Sequence, residues 1–127
     1  MVMNARLTTT VPVVDMARAK RFYQTTLGLR HLGDFPTGEA MFQSAYGDTV
    51  TLYARSATKA DHTVLAFVLP SAASFDAAMG GLRGRGVKFE EYDLPGLKTV
   101  NGVLSIGSMR AAWFKDTEGN ILGLATG

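Results

Sequence analysis

The stretch that decides the fold lies near the end of the chain and reads AAWFKDTEGNILGL, residues 111–124. Two apolar runs flank a polar turn, in which Asp116 and Asn120 can bond to their own backbone and Gly119 supplies a positive φ angle without steric cost. Two such runs joined by a short loop that contains glycine predict a β-hairpin. Because both runs are apolar nearly throughout, we expect this hairpin to lie at the centre of a sheet, with both faces covered.

Composition restricts the class of protein. The chain has 127 residues, of which 46% are hydrophobic and 19% charged, and this fits one domain with a single sizeable core. A net charge of +2, with Lys and Arg scattered along the chain, gives no basic footprint for nucleic acid. The absence of Cys excludes disulfides, thiolate metal sites and cysteine nucleophiles. No apolar run approaches the roughly 20 residues of a membrane span, and residues 1–6 lack a signal pattern, so we expect a cytoplasmic protein without a membrane partner.

The first half of the chain is predicted to contain a strand, a helix and three strands. Residues 7–14 are rich in Thr and Val, which favours a strand, and Asp15 follows in the position of a helix N-cap. Apolar residues at helical spacing predict one helix, which Gly28 ends in a left-handed C-cap. The predicted helix and the three short strands after it lie at residues 16–27, 29–32, 39–45 and 49–54.

The second half repeats this order after a small, polar segment at 56–61, which we interpret as a linker. The predicted strand, helix and two further strands before the hairpin lie at residues 62–69, 72–82, 87–92 and 103–106. A helix with one apolar stripe covers one face of its sheet and leaves the other face open. The chain is therefore predicted to be α+β, one domain over 1–127 built from two β-α-β-β-β modules, about 5–55 and 62–126.

Three stretches share their pattern with one known family. They read VVDMARA leading to FY and LG, AFV before a helix with FDA, and FKDTEGN, within residues 13–28, 66–77 and 114–120. In these stretches the chain resembles the vicinal oxygen chelate superfamily of glyoxalases, bleomycin-resistance proteins and extradiol dioxygenases. Thr117 and Glu118 depart from the Pro and Asp of the family's Phe-x-Asp-Pro-Asp-Gly-Asn turn. The resemblance implies two modules that form a curved mixed sheet around a cleft, commonly in a homodimer.

The resemblance also implies where a divalent metal would bind. Metal-dependent members hold the ion with His, Glu or Gln, and the matching positions here are Thr8, Thr51, Val64 and Gly123. None is a credible ligand, because such sites need imidazole or carboxylate donors. His62 is expected on the strand face of Val64, but no carboxylate stands at a matching position to share a metal with it. We therefore expect no metal and no cofactor.

Strand alternation also indicates which side chains line the cleft. Trp113 should face it if Phe114 packs toward a helix. The predicted ligand-binding residues are Thr8, Thr51, Tyr53, His62, Val64 and Trp113. Aromatic walls with hydroxyl groups and one imidazole suit a flat or amphipathic small molecule. Core or dimer-interface packing remains an alternative for the two aromatic residues, and plain strand propensity for the threonines.

Two further features each allow two interpretations. The long loop 93–102 is either a lid over the pocket or a connection whose apolar residues enter the core. The acidic residues Glu90, Glu91 and Asp93 beside it form a solvated strand face, or one of them points inward and acts as a general base.

Two functions from different classes follow. The first is a protein that binds a small, flat molecule without metal, as the resistance members of the family do. The second is a metal-independent enzyme of lyase or isomerase type, in which His62, Tyr53 or a carboxylate acts as acid or base on a bound carbonyl compound. Both predict a small-molecule partner and, from the resemblance, a homodimer.

Overall fold

The computed structural model describes residues 1–56 and 62–126, which fall into two compact units, Met1–Thr58 and Lys59–Gly127. Each unit contains a four-stranded mixed sheet and a helix, so the predicted α+β class with two modules is confirmed. Apart from Ser56, the predicted linker 56–61 lies outside the described residues. Within the described ranges, every helix is too short or too polar to span a membrane.

The first unit follows the predicted order. Its elements are β1 (Thr8–Val13), α1 (Met16–Arg21), a π-helical turn (Phe22–Thr26), β2 (Arg30–Asp34), β3 (Ala40–Gln43) and β4 (Thr49–Ala54). The strands lie in the order β1-β4-β3-β2, with β1 parallel to β4 and the other pairs antiparallel. Asp15 begins the helix as predicted, because its Oδ1 accepts a hydrogen bond from Arg18 N at 3.1 Å.

The continuous α-helix predicted over 16–27 is wrong in its second half. Leu27 N donates to Phe22 O, five residues earlier, at 2.9 Å, which closes a π-helical turn. The wider turn allows Phe22 and Tyr23, adjacent in the chain, both to be buried, with 8% and 0% of their surface exposed. Gly28 then ends the helix at φ +77°, as predicted.

The second unit has the same sheet topology. Its elements are β5 (Thr63–Val68), α2 (Ala72–Gly84), β6 (Asp93–Leu94), β7 (Leu97–Lys98), β8 (Leu104–Ile106), β9 (Met109–Lys115) and β10 (Ile121–Thr126). The large sheet has the order β5-β10-β9-β8, with β5 parallel to β10. The hairpin predicted over 111–124 is confirmed and supplies the two central strands, β9 and β10. Ser71 and Ser74 begin α2 with a reciprocal capping box.

The strand predicted over 87–92 is wrong. Within this segment only Phe89 forms a bridge, opposite Phe114, and Glu90 N donates to Trp113 O at 2.8 Å. Strand β8 pairs with residues 109–111 of β9, and this single bridge is the segment's only pairing with the rest of that strand. The chain instead turns away into the β6–β7 hairpin.

The loop 93–102 contains regular secondary structure, which neither the lid nor the core-connection interpretation predicted. It contains β6 and β7, and the hydroxyl of the buried Thr99 accepts a hydrogen bond from Tyr92 N at 2.8 Å. Leu94 and Val100 are 56% and 64% exposed, so these two do not enter the core.

One face of each sheet is buried and the helix of the same unit contacts that sheet, α1 at β4 and α2 at β10. Buried strand residues of the first unit include Val11, Phe42 and Leu52, and those of the second include Ala112, Phe114, Leu122 and Leu124. Apolar burial of this kind is the main favourable contribution to folding. We call the opposite face of each sheet its open face.

Candidate functional site

Two threonines meet on the open face of the first sheet. Thr10 and Thr51 pair across β1 and β4, one residue from the buried pair Val11 and Leu52, so they lie on the opposite face. Thr8 lies on the same face, and its Oγ1 is 3.2 Å from Oγ1 of Thr51, a hydrogen bond. The structure therefore brings together the two first-unit positions that the resemblance assigned to metal ligands.

Tyr53 follows two residues later on the same face of β4. It pairs with Pro12 of β1 and is half-buried. Among the described residues its hydroxyl has no hydrogen-bond partner.

Gly123 and Trp113 form the centre of the open face of the second sheet. They pair across β10 and β9, while the neighbouring Phe114 is fully buried on the other face, so Trp113 lies on the face opposite Phe114. A Cβ atom on Gly123 would lie 3.5 Å from Ala66 Cβ, 3.6 Å from Thr63 Cγ2 and 3.7 Å from Trp113 Cδ1. These are ordinary contact distances and the backbone is not left-handed, so neither crowding nor φ requires glycine here.

A β-bulge changes the face of the first residues of β5. Thr63 pairs with Ile121 and Leu65 with Leu122, which leaves Val64 as an extra residue. Thr63 consequently lies beside Gly123. The two-residue alternation that placed His62 and Val64 on one face does not hold at this point, and the exposed His62 precedes the strand.

Sequence reasoning did not include Tyr92 in the site. Its ring meets Trp113 edge to face, with centroids 5.6 Å apart and planes at 77°. Burial, together with the nearby charge of Glu90, raises the pKa of the Tyr92 hydroxyl, which stays a neutral hydrogen-bond donor. No periodic pattern could have predicted this contact, because the segment that carries Tyr92 makes only one bridge to the sheet.

The acidic residues beside Tyr92 have different roles. Lys115, two residues after Trp113 on the same face, has its Nζ 3.5 Å from Oε1 of Glu90. Glu91 instead accepts a hydrogen bond from Gly102 N. Of the three acidic residues, Glu90 is therefore the one that forms an ion pair beside the rings of Trp113 and Tyr92.

Comparison with known proteins identifies the family. A sequence model of the Glyoxalase/Bleomycin resistance protein/Dioxygenase superfamily matches residues 6–124. The chain belongs to this superfamily. A search of curated proteins found no match.

Solved structures of other proteins share the fold. The fosfomycin resistance protein FosX from Listeria monocytogenes is 16% identical, with a TM-score of 0.75 over 98% of this chain and 94% of that chain. Lactoylglutathione lyase from Agrobacterium tumefaciens is 17% identical, with a TM-score of 0.70 over 98% and 94%. UcmS2 is 21% identical, with a TM-score of 0.72 over 97% and 98%. At these identities the likeness concerns the fold alone.

The residues at the metal positions of the superfamily do not fit a divalent ion. Thr8 and Thr51 offer neutral hydroxyls that bond to each other, and Val64 and Gly123 offer no side-chain donor. No group of three or more His, Cys, Asp or Glu within residues 1–56 and 62–126 is arranged to hold a metal. His31 stacks on the buried ring of Phe42, with centroids 4.9 Å apart, on the face opposite the threonine pair.

Proposed function

We propose that this superfamily member binds a flat, amphipathic small molecule on the open face of its second sheet, without a metal ion, in the manner of the bleomycin-resistance members. One observation carries the proposal. At the position that the resemblance assigns to the last metal ligand the chain has Gly123, a buried residue with no side chain, and Cδ1 of the half-buried Trp113 lies 3.7 Å from where its Cβ would be. A carboxylate at that position would bind metal, whereas a glycine beside a half-buried indole offers an apolar contact.

The surroundings of Trp113 support an aromatic ligand. Tyr92 meets the indole edge to face and holds its orientation, and the small Ala66 flanks Gly123 on the other side. Offset or edge-to-face contact with a further ring adds about 0.5–1.5 kcal/mol beyond the burial of apolar area. The Lys115–Glu90 pair supplies a polar edge to this surface.

The open face of the first sheet offers hydrogen-bonding groups of its own, and we propose Thr8, Thr51 and Tyr53 as ligand contacts within that unit. The Thr8–Thr51 hydroxyl pair can donate and accept hydrogen bonds, and the half-buried Tyr53 provides a phenol on the same face. His62 and Val64 are proposed as further contacts on the second unit. A homodimer is proposed as well, and light scattering after size exclusion would measure it.

Fluorescence tests the proposal directly, because Trp113 is the only tryptophan in the chain. The probe is N-phenyl-1-naphthylamine, a neutral, flat molecule, titrated in excess EDTA. We expect saturable quenching of Trp113 emission with energy transfer to the probe. Gly123→Leu fills the space beside the indole and should weaken binding by about tenfold, one large contact being worth about 1.4 kcal/mol.

The matched control is Gly80→Leu, since a Cβ there also avoids clashes but lies on helix α2. Two results would overturn the proposal. One is probe binding that appears only after Mn²⁺, Ni²⁺ or Zn²⁺ is added; the other is an equal affinity in the Gly123 variant, the Gly80 variant and the native protein.

The second function predicted from the sequence, a metal-independent enzyme, has less support. It would use His62, Tyr53 or a carboxylate as acid or base, and the Tyr53 hydroxyl has no hydrogen-bond partner among the described residues that would activate it. Turnover of a carbonyl compound that is lost in both His62→Ala and Tyr53→Phe would favour the enzyme over the binding protein.

A further inference from the structure

The first unit contains a cavity that the proposed function does not use. Its volume is about 500 Å³, and it is lined by residues 28–30 and 43–45 together with Gly47. None of the predicted ligand-binding residues lines it. Its walls are the chain that follows the π-helical turn and the turn between β3 and β4, joined by the cross-strand pair of Arg30 and Gln43.

Arg30 brings a positive charge that no described carboxylate neutralises. Its Nη2 donates to Oε1 of Gln43, and Nε2 of Gln43 donates in turn to Gly47 O at 3.2 Å. These two bonds orient the guanidinium in the cavity wall, and they leave its remaining N–H groups available. A guanidinium held in this way is preorganised for a ligand, which lowers the entropy lost on binding.

Ser44 adds a second, independent observation. Its hydroxyl is buried and has no hydrogen-bond partner among the described residues. Buried hydroxyl groups are nearly always bonded, and this one is inaccessible to a ligand as it is placed. Because Ser44 is partly exposed and lines the cavity, a rotation about its χ1 angle would turn the hydroxyl from this unsatisfied position toward a bound molecule.

We propose that this cavity binds an oxyanion, the carboxylate or phosphate group of a small molecule, with Arg30 as its charged partner and Ser44 as a neutral donor. The planar fork of a guanidinium matches both groups, through two parallel hydrogen bonds. The proposal goes beyond the proposed function and does not depend on it, because every lining residue belongs to the first unit and Trp113 to the second.

Nuclear magnetic resonance of the full-length protein tests the site, with inorganic phosphate and benzoate as probes and sodium chloride at matched ionic strength as reference. We expect saturable shifts of the amides at 28–30 and 43–47. Arg30→Gln should weaken binding by about tenfold or more, as loss of a charge-assisted contact does, and Ser44→Ala by a few-fold. Arg21→Gln removes the same charge from an exposed position on α1 and should leave the affinity unchanged.

The two probes distinguish the sources of the oxyanion. Saturation by phosphate alone assigns a phosphate site, saturation by benzoate alone a carboxylate site, and either supports the proposal. It is overturned if the shifts stay linear up to high concentration, or if Arg30→Gln and Arg21→Gln bind equally. Because N-phenyl-1-naphthylamine is uncharged, its response at Trp113 can fail or succeed separately from this result.

Discussion

The turns at residues 44–48 and 116–120 occupy the same place in the two units, each leading into the strand that pairs with the first strand of its sheet. In both turns the N–H of the first residue donates to the carbonyl of the fifth, at 2.9 Å in the first unit and 3.0 Å in the second. In both, the fourth residue is a glycine that donates back to the first carbonyl, at 3.1 and 3.4 Å. The two segments therefore form the same hydrogen-bonded turn, although their sequences differ.

The side chains that begin the two turns differ. Asp116 is buried and accepts from the N–H groups of Glu118 and Asn120 at 2.8 and 2.9 Å and from the Asn120 side chain at 2.9 Å. Ser44 occupies the equivalent position, and its buried hydroxyl bonds to no described group. In the turn at 116–120 the first side chain accepts hydrogen bonds from the turn itself. In the turn at 44–48 the first side chain makes no such bond and belongs to a residue that lines the cavity. The backbone pattern alone thus does not decide whether such a position is structural or available to a ligand.

The largest effect should come from removing the side chain that closes the second turn. Asp116→Ala leaves three donors without their acceptor and should lower the free energy of unfolding by about 3 kcal/mol. Ser44→Ala, which breaks no described bond, should change it by less than about 0.5 kcal/mol. Denaturation in guanidinium chloride at neutral pH measures both, and equal losses would contradict the distinction between the turns.

The two glycines should behave alike. Gly47 and Gly119 have φ angles of +93° and +85°, a region that costs a residue with a Cβ roughly 1–2 kcal/mol. We expect Gly47→Ala and Gly119→Ala each to lower the free energy of unfolding by about that amount, since a Cβ meets nothing closer than 4.0 Å at either position. A clear difference between the two variants in the same denaturation experiment would show that the turns are not equivalent in backbone.

Much of the fold was predictable because local signals agreed with the tertiary structure. The Asp116–Asn120 turn, the Asp15 cap and the Gly28 C-cap are each specified by residues within a few positions of one another. The π-helical turn was not predictable, because one turn of altered period leaves the apolar spacing almost unchanged. The 87–92 segment was predicted as a strand from composition, but a strand also needs a continuous partner, and only Phe89 of this segment forms a bridge to β9.

The site was predictable only where alternation is regular. Trp113 opposite Phe114 followed from the two-residue period of β9. The β-bulge at Val64 breaks that period, and Tyr92 approaches Trp113 from a segment with no period at all. The Arg30 cavity depends on a cross-strand pairing that no local pattern indicates.

A charge substitution would convert the first turn into the second. Ser44→Asp places a carboxylate at the position of Asp116, where it can accept turn N–H bonds, and should raise the free energy of unfolding by about 0.5–1 kcal/mol. The same carboxylate lies in the cavity with Arg30 and should abolish the phosphate shifts. Calorimetry and the phosphate titration check the two effects on one sample. Retained phosphate binding in a stabilised variant would place the anion away from Ser44.

The smallest effect on the free energy of unfolding should come from the ion pairs that join each helix to its sheet. These are Lys20–Asp34 in the first unit, at 2.8 Å, and Asp76–Arg110 in the second, at 3.1 Å. The hydrogen bond from Lys20, and then that from His31, lowers the pKa of Asp34 below its ordinary value of 3.8. A carboxyl group with a lowered folded pKa contributes its stability above pH 3.8 and loses it as the pH falls through the folded value. Lys20→Gln should therefore raise the pKa of Asp34, measured by carbon NMR of its carboxyl group, and reduce the loss of stability below pH 3.8. Because the pair is exposed, neutral-pH stability should barely change, and an unaltered Asp34 titration in this variant would make His31 the dominant partner.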